Sequence, residues 1–421
     1  MKIKFRSEPS TGHTREHEKG TPSGRCLGRI SMDSERMKSS KPIYLDYNAT
    51  TPIDPQVLEA MLPYLKERFG NPSSSHLYGK TAKEAVNRAR EQTAKLIGTE
   101  TDEILFTSGG TESNNQAIIG TALANMEKGR HIITSEIEHP SVFEPLRYLQ
   151  ERFAFKVTYL PVDKYGMVSA SDVEKAITPE TVLITIMHAN NEVGTIEPIE
   201  EIGTIAKERN VTFHSDAAQS CGKIPVNVDK LNVDLLTIAG HKLYAPKGIG
   251  TLYIRNGTRL DKFIHGAGQE QGKRAGTENV PYVVGLGLAC EIASANIYDF
   301  SQSVKELRDR LHRNVLNGLR EEKVKLNGHP EKRLPNTLNI SIKNVVGETL
   351  LAQTPEIAAS TGSACHAGST KPSAVLLAMG LSREQALGAL RLSLGRWSTI
   401  EEIGEASRLI VRNAQQEICH H

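Results

Sequence analysis

From Ile43 to about residue 280, short β-type runs alternate with helical patterns. Strand candidates stand at 103–107, 131–134, 156–161, 182–187, 211–214, 233–238 and 251–254. Helical spacing fills 80–97, 111–126, 140–152, 171–177 and 198–209. This alternation predicts an α/β fold with a mainly parallel seven-stranded sheet covered on both faces, because parallel neighbours need a crossover that a helix supplies. The run Val182 to Met187 has the apolar character of a central strand. Upstream, Asp54-Pro55 forms an N-cap followed by proline at the first helical position. Val57, Leu58, Met61, Leu62 and Leu65 then recur at helical spacing until Gly70.

Beyond residue 280 the pattern changes. Long helical segments at 281–297 and 301–322 precede strand candidates at 337–342 and near 388–394, and a last helix starts at about 400. The expected division is a large domain over 56–296 and a smaller α+β domain built from 41–55 and 297–421. Residues 1–40 are rich in Ser, Gly, Arg, Lys and Glu with hardly any apolar spacing, and read as a disordered extension. They lack the apolar core of a secretory signal, and Glu8, Glu16 and Glu18 weaken a transit-peptide reading. A cytoplasmic location follows, with organellar import left open by the extension.

The chain's 421 residues suffice for a large buried core. A net charge of +2, with no basic stripe interleaved with aromatics, gives no case for nucleic acid. No apolar run is expected to reach membrane-spanning length. Cys26, Cys221, Cys290, Cys365 and Cys419 are scattered and odd in number, which argues against a disulfide framework and for a reducing compartment. No CxxC pair suggests zinc, and no metal site is expected.

Several strand ends carry chemistry. Ala239-Gly240-His241-Lys242 follows the apolar run Val233 to Ile238, and a lysine held there can form a Schiff base with an aldehyde cofactor. Thr107-Ser108-Gly109-Gly110-Thr111 joins a strand to a helix. It reads either as an anion cradle, with Gly110 and Thr111 as donors, or as a simple tight turn. Asp216 follows the strand 211–214, where a carboxylate can keep a pyridinium nitrogen protonated or merely cap a helix. Gln219 can reach a phenolic oxygen or be a surface glutamine. His139 can lie over a flat cofactor and shuttle protons, or be a structural histidine; His188 and His241 sit at comparable junctions. Cys365 lies among small residues on a loop, where a thiol becomes a nucleophile once deprotonated. Cys221 and Cys290 fit packing better. Arg391 stands alone in the apolar strand 389–394 and needs a partner, either a substrate carboxylate or an internal carboxylate.

Nine collinear segments extend these features: Tyr44 to Pro52, Gly70 to Ser74, Phe106 to Asn114, Met187 to Gly194, His214 to Gln219, Gly240 to Lys242, Arg274 to Asn279, Leu334 to Thr337 and Gly362 to Cys365. With them the chain resembles the cysteine desulfurases, NifS/IscS-like pyridoxal 5'-phosphate enzymes of fold type I that also include selenocysteine lyases. The resemblance implies that Lys242 holds the cofactor as a Schiff base and serves as acid and base. It assigns Asp216 to the pyridine nitrogen, Gln219 to the phenolic oxygen and His139 to the ring face. Gly110, Thr111 and His241 are assigned to the phosphate, and Thr277 to the phosphate of the neighbouring subunit in a homodimer. Asn191, near the cofactor, and Arg391 take the substrate carboxylate. Cys365, in the smaller domain, attacks the sulfur of L-cysteine or the selenium of L-selenocysteine and releases alanine. An acceptor protein, such as an iron–sulfur scaffold or a tRNA-thiolation protein, is implied downstream.

Three positions depart from the family pattern. Ala239 lacks the hydroxyl that many desulfurases place there against the phosphate. His366 replaces a small polar residue after the nucleophile. Pro140 stands where selenocysteine lyases carry an Asp-like residue, which favours L-cysteine as substrate.

Overall fold

The computed structural model describes residues 41–362 and 371–419. The N-terminal extension, Cys26, the segment with Cys365 and His366, and the final two histidines lie outside the described residues. Asp54 caps the helix Pro55–Lys66 as expected, its carboxylate accepting from the Gln56 N–H at 2.9 Å with Pro55 in the first turn.

The strands in chain order are β1 (Ile43–Tyr44), β2 (Ile104–Thr107), β3 (His131–Ser135), β4 (Lys156–Leu160), β5 (Thr181–Thr185), β6 (Thr212–Asp216), β7 (Leu235–Ala239), β8 (Gly250–Ile254), β9 (Val324–Asn327), β10 (Thr337–Ile342), β11 (Ile357–Ala358) and β12 (Ala389–Ser393). Strands β2 to β8 form one seven-stranded sheet in the order β2-β8-β7-β6-β5-β3-β4. Only β8 runs antiparallel to its neighbours. Each of the seven lies where the sequence pattern places it.

Both faces of that sheet are covered. Ile133 and Ile184 point into a core shared with Val86 and Ala89 of the helix Leu77–Ile97 and Leu286 and Ala289 of the helix Val280–Leu319. The adjacent residues Ile132 and Leu183 point the other way, onto Val142, Leu146 and Leu149 of the helix Pro140–Phe153. Period-two alternation with apolar residues on both sides explains why these strands read as nearly continuous apolar runs.

Two expectations are corrected. Residues 280–319 form one helix of 40 residues instead of two segments, because no Pro or Gly interrupts 288–317. This helix is also long and apolar enough, by length and composition, to cross a membrane. Its best window has a mean hydropathy of 1.4, and half of that window is buried in the fold. Val, Leu, Ile, Ala and Cys between 280 and 297 raise the average although Gly, Pro, Glu, Ser and Asn interrupt the run, and the small residues serve close packing: a Cβ on Gly287 would lie 2.5 Å from Ala89 Cα.

Beside the large sheet, β12-β10-β9 form an antiparallel sheet, and β1 pairs with β11 in parallel. Strands β1 and β11 have two residues each, too few for periodicity to reveal them, and β9 (Val324–Asn327) has only two apolar residues to mark it. The helix expected at 111–126 runs from Gly110 to Ala124 with a π-helical stretch at Gln116–Gly120.

Candidate active site

Parallel strands deliver their C-terminal ends to one edge, where ligands of such sheets bind. Here that edge receives Asp216 from β6, Lys242 after β7, His139 after β3 and the Gly109-Gly110 turn after β2. Lys242 closes a short 3-10 turn, Gly240–Lys242. Its Nζ donates to the carbonyls of Asn48 at 2.5 Å and Ala49 at 2.6 Å, and no carboxylate pairs with it among the described residues. Burial, with Arg391 adding repulsion, pushes its pKa down to about 8 against the pull of Asp46 and Asp216.

Asp216 is 8% exposed and ends β6. Its Oδ1 accepts from the Ala218 N–H at 2.9 Å and its Oδ2 from Asn114 Nδ2 at 2.7 Å. Asn114 also donates to Ser141 Oγ at 2.8 Å, and that hydroxyl bonds His139 Nδ1 at 2.8 Å. His139 Nδ1 further accepts from the Ser141 N–H as the cap of its helix, which leaves Nε2 as the protonated nitrogen. Burial holds this imidazole below its ordinary range, with Asp216 pulling up and Lys242 pushing down. The carboxylate and the imidazole therefore share one hydrogen-bonded chain.

Asn48 joins the remaining parts. Its carbonyl accepts from both Lys242 and, at 3.0 Å, Gln219 Nε2. Its Oδ1 accepts from Lys223 Nζ at 3.0 Å and Asn336 Nδ2 at 2.9 Å, while its Nδ2 donates to the Asn191 carbonyl at 3.2 Å. Arg391 Nη1 reaches that same carbonyl at 3.3 Å. Arg391 is 5% exposed, and its Nη2 pairs with Asp46 at 2.7 Å, so the internal carboxylate is present. Its Nε, also buried, has no partner among the described residues.

At the phosphate candidate, Gly109 has φ of 149°, a region that only glycine enters freely. The turn packs tightly, since a Cβ on Gly250 would lie 2.7 Å from Gly109 Cα. His241 Nδ1 contacts Thr50 Oγ1 at 3.2 Å, and burial depresses its pKa to about 4. Gly110 and Thr111 begin the helix there. Thr277 stands apart from the network. It lines a cavity of about 180 Å³ with Phe106, Thr107 and Ser108.

His188 is 4% exposed, burial pushes its pKa to about 4, and its Nδ1 has no partner among the described residues. Cys221 and Cys290 are buried free thiols, as their settings predict, and burial pushes the Cys290 thiol up to about 12. Among the described residues no His, Cys, Asp or Glu cluster could hold a metal. Sequence reasoning missed Asn48, Asn114, Ser141, Lys223 and Asp46. Asn48 and Asn114 lie inside quoted segments, and Lys223 stands four residues after Gln219, which were the available signals.

The aminotransferase class-V family model matches residues 43–405. The chain belongs to the class-V aminotransferase family, among the cysteine desulfurases. It is 51% identical over 379 residues to a cysteine desulfurase IscS of Methanosarcina thermophila, covering 90% of this chain and 93% of that protein. A cysteine desulfurase IscS of Dictyoglomus turgidum is likewise 51% identical, with 86% of this chain and 92% of that protein covered. Among solved structures, a NifS-like protein superposes with a TM-score of 0.83 at 39% identity, covering 89% of this chain and all of that one. SspA in complex with cysteine gives a TM-score of 0.75 at 41% identity over 85% of this chain and 99% of that one.

Proposed function

We propose that this protein is a cysteine desulfurase that binds pyridoxal 5'-phosphate at Lys242, takes L-cysteine, and yields L-alanine and a persulfide on Cys365. The observation that carries the reading is a half-buried amine whose partners among the described residues are carbonyls, beside a carboxylate and an imidazole on one hydrogen-bonded chain. The donor set suits an aldehyde cofactor: a depressed lysine for the aldehyde, Asp216 for a ring nitrogen, and Gln219 as donor to a phenolic oxygen. The Gly109-Gly110 turn with Thr111 and His241 suits a phosphate.

When bound there, the cofactor supplies an electron sink for the bonds at the substrate's carbons. Lys242 then carries a proton to and from the α-carbon, helped by a pKa lowered to about 8. His139 holds a proton at Nε2 over the ring face. Arg391 and Asn191 hold the substrate carboxylate, and the Arg391 Nε, without a partner among the described residues, is a donor for it. The Cys365 thiolate attacks the substrate sulfur. A sulfur–sulfur bond forms, the carbon–sulfur bond breaks, and the proton ends on the alanine methyl group.

Thr277, exposed and lining a cavity with Thr107 and Ser108, fits a contact with the phosphate of a second copy. Leu65, Phe69, Leu77 and Tyr78 are 54%, 73%, 77% and 56% exposed and offer that copy an apolar face. We further propose the division into domains 56–296 and 41–55 with 297–421, a cytoplasmic location, and an iron–sulfur scaffold or tRNA-thiolation protein as sulfur acceptor.

Incubating the protein with L-cysteine and with L-selenocysteine separately, and measuring alanine, tests the reading. Faster release from L-cysteine is expected, with a visible cofactor band that Lys242→Ala abolishes and no alanine from cysteine in Cys365→Ser. Wild-type alanine release by Cys365→Ser would remove the mechanism; faster turnover of L-selenocysteine would make it a selenocysteine lyase.

A further inference from the structure

Lys223 is 4% exposed and pairs with no carboxylate among the described residues. Its Nζ donates to Gln219 Oε1 at 2.7 Å and to Asn48 Oδ1 at 3.0 Å. The charged groups acting on it, Lys242 and Arg391, have its own sign, and together with burial they hold its pKa well below the usual lysine range. Burying an amine among cations is costly, and an apolar side chain of similar length would fill the space at less expense. The amine must therefore do something a methionine could not.

What it does follows from donor chemistry. In this structure Lys223 Nζ donates to both of its neighbours, whereas a glutamine amide can present either its oxygen or its nitrogen. Facing Lys223, Gln219 is obliged to turn its oxygen inward, which sends Nε2 the opposite way, to the Asn48 carbonyl at 3.0 Å. The second Lys223 bond holds the side chain of Asn48, whose carbonyl also receives Lys242.

We propose that Lys223 is a positioning residue that keeps the Gln219 amide turned with its donor toward the cofactor pocket, so that the pocket accepts an anionic ring oxygen and disfavours a donor there. This rests on the pyridoxal phosphate reading above. Without Lys223 the amide is free to rotate, the ring oxygen loses its fixed donor, and the proton on the imine nitrogen is held more tightly.

The test is an absorbance titration of the cofactor-loaded protein against pH. A visible band in the wild type that vanishes in Lys242→Ala checks the underlying reading, and its absence overturns both proposals. Given that band, Lys223→Met is expected to raise its pH midpoint by about one unit, the size of one charge-assisted hydrogen bond. Gln219→Met should shift it comparably, and the double variant no further, since both act through one contact. Should Lys223→Met not fold, Lys223→Gln, which keeps a donor but drops the charge, should give a smaller upward shift. An unchanged midpoint in the folded Lys223 variant beside a shifted one in Gln219→Met overturns the proposal. So does an unchanged midpoint in both, because Gln219 then has no donor role to position.

Discussion

The two sides of the candidate site are assembled differently. On the strand-end side, Asp216, His139 and Lys242 each lie within four residues of a strand of one sheet, and local turns aim them at a common edge. On the other side, Arg391 comes from the three-stranded sheet, and its partners Asp46, Asn191 and Gly362 come from distant parts of the chain. The first side is set by topology, because parallel strands must end together. The second depends on long-range packing of an arginine whose charge is met by one carboxylate and two carbonyls. Asn48 is where the two meet.

If the strand-end side does the electronic work, removing charge there should cost most. Asp216→Asn keeps the shape and removes the negative charge; with its oxygen on the Ala218 N–H, its amide nitrogen faces Asn114 Nδ2 and that bond is lost too. Turnover of L-cysteine is expected to fall by about 10³-fold, the scale of losing one preorganised electrostatic partner. The protein should retain its cofactor band, since Lys242 is untouched. A loss under tenfold, measured as alanine released, would break the assignment of Asp216 to the ring.

The second effect asks whether the two sides are electrically independent. Arg391 is among the groups that depress Lys242, whose pKa is pushed to about 8. Only the neutral amine attacks an aldehyde, so cofactor uptake by the cofactor-free protein should rise roughly tenfold per pH unit below 8 and level off above it. In Arg391→Gln the repulsion is gone and Asp46 is left unpaired, and both changes favour the ammonium. The midpoint should then move upward, as followed by the rate of appearance of the visible band. An unmoved midpoint would mean the sides act separately.

The same contrast explains what was legible in the sequence. All seven strands of the large sheet follow from period and flanking residues, and so do Asp216, His139 and Lys242, because each stands beside its strand in the chain. Asp46 and Arg391 are 345 residues apart: the apolar strand announces that Arg391 needs a partner, but nothing local marks Asp46 as that partner. Asn48 was inside a quoted segment, yet its role as the joint of the site arises only when β12, the 336–337 segment and the lysines fold around it. The unbroken helix 280–319 was hidden for another reason: Tyr298-Asp299 interrupts the apolar spacing but not the backbone.

The smallest effect isolates the Arg391 side. Ser373 caps the helix Ala374–Ala378, its Oγ accepting from the Leu376 N–H at 3.2 Å and donating to Glu192 Oε2 at 2.5 Å. Glu192 is 7% exposed, and burial raises its pKa while Ser373 and Arg391 lower it. The same carboxylate oxygen would sit 2.8 Å from a Cβ on Gly362, so it packs against the segment that Arg391 also touches. Ser373→Ala removes the cap and one bond to a buried carboxylate, for a loss of about 1–3 kcal/mol in thermal unfolding. None of these atoms belongs to the chain linking His139 to Asp216, so the cofactor band and its pH midpoint should stay as in the wild type. A destabilised protein with an unaltered band would show that the strand-end side stands on its own packing. A shifted band would show that the carboxylate of Glu192 reaches the cofactor through Arg391, and the division into two sides would have to be redrawn.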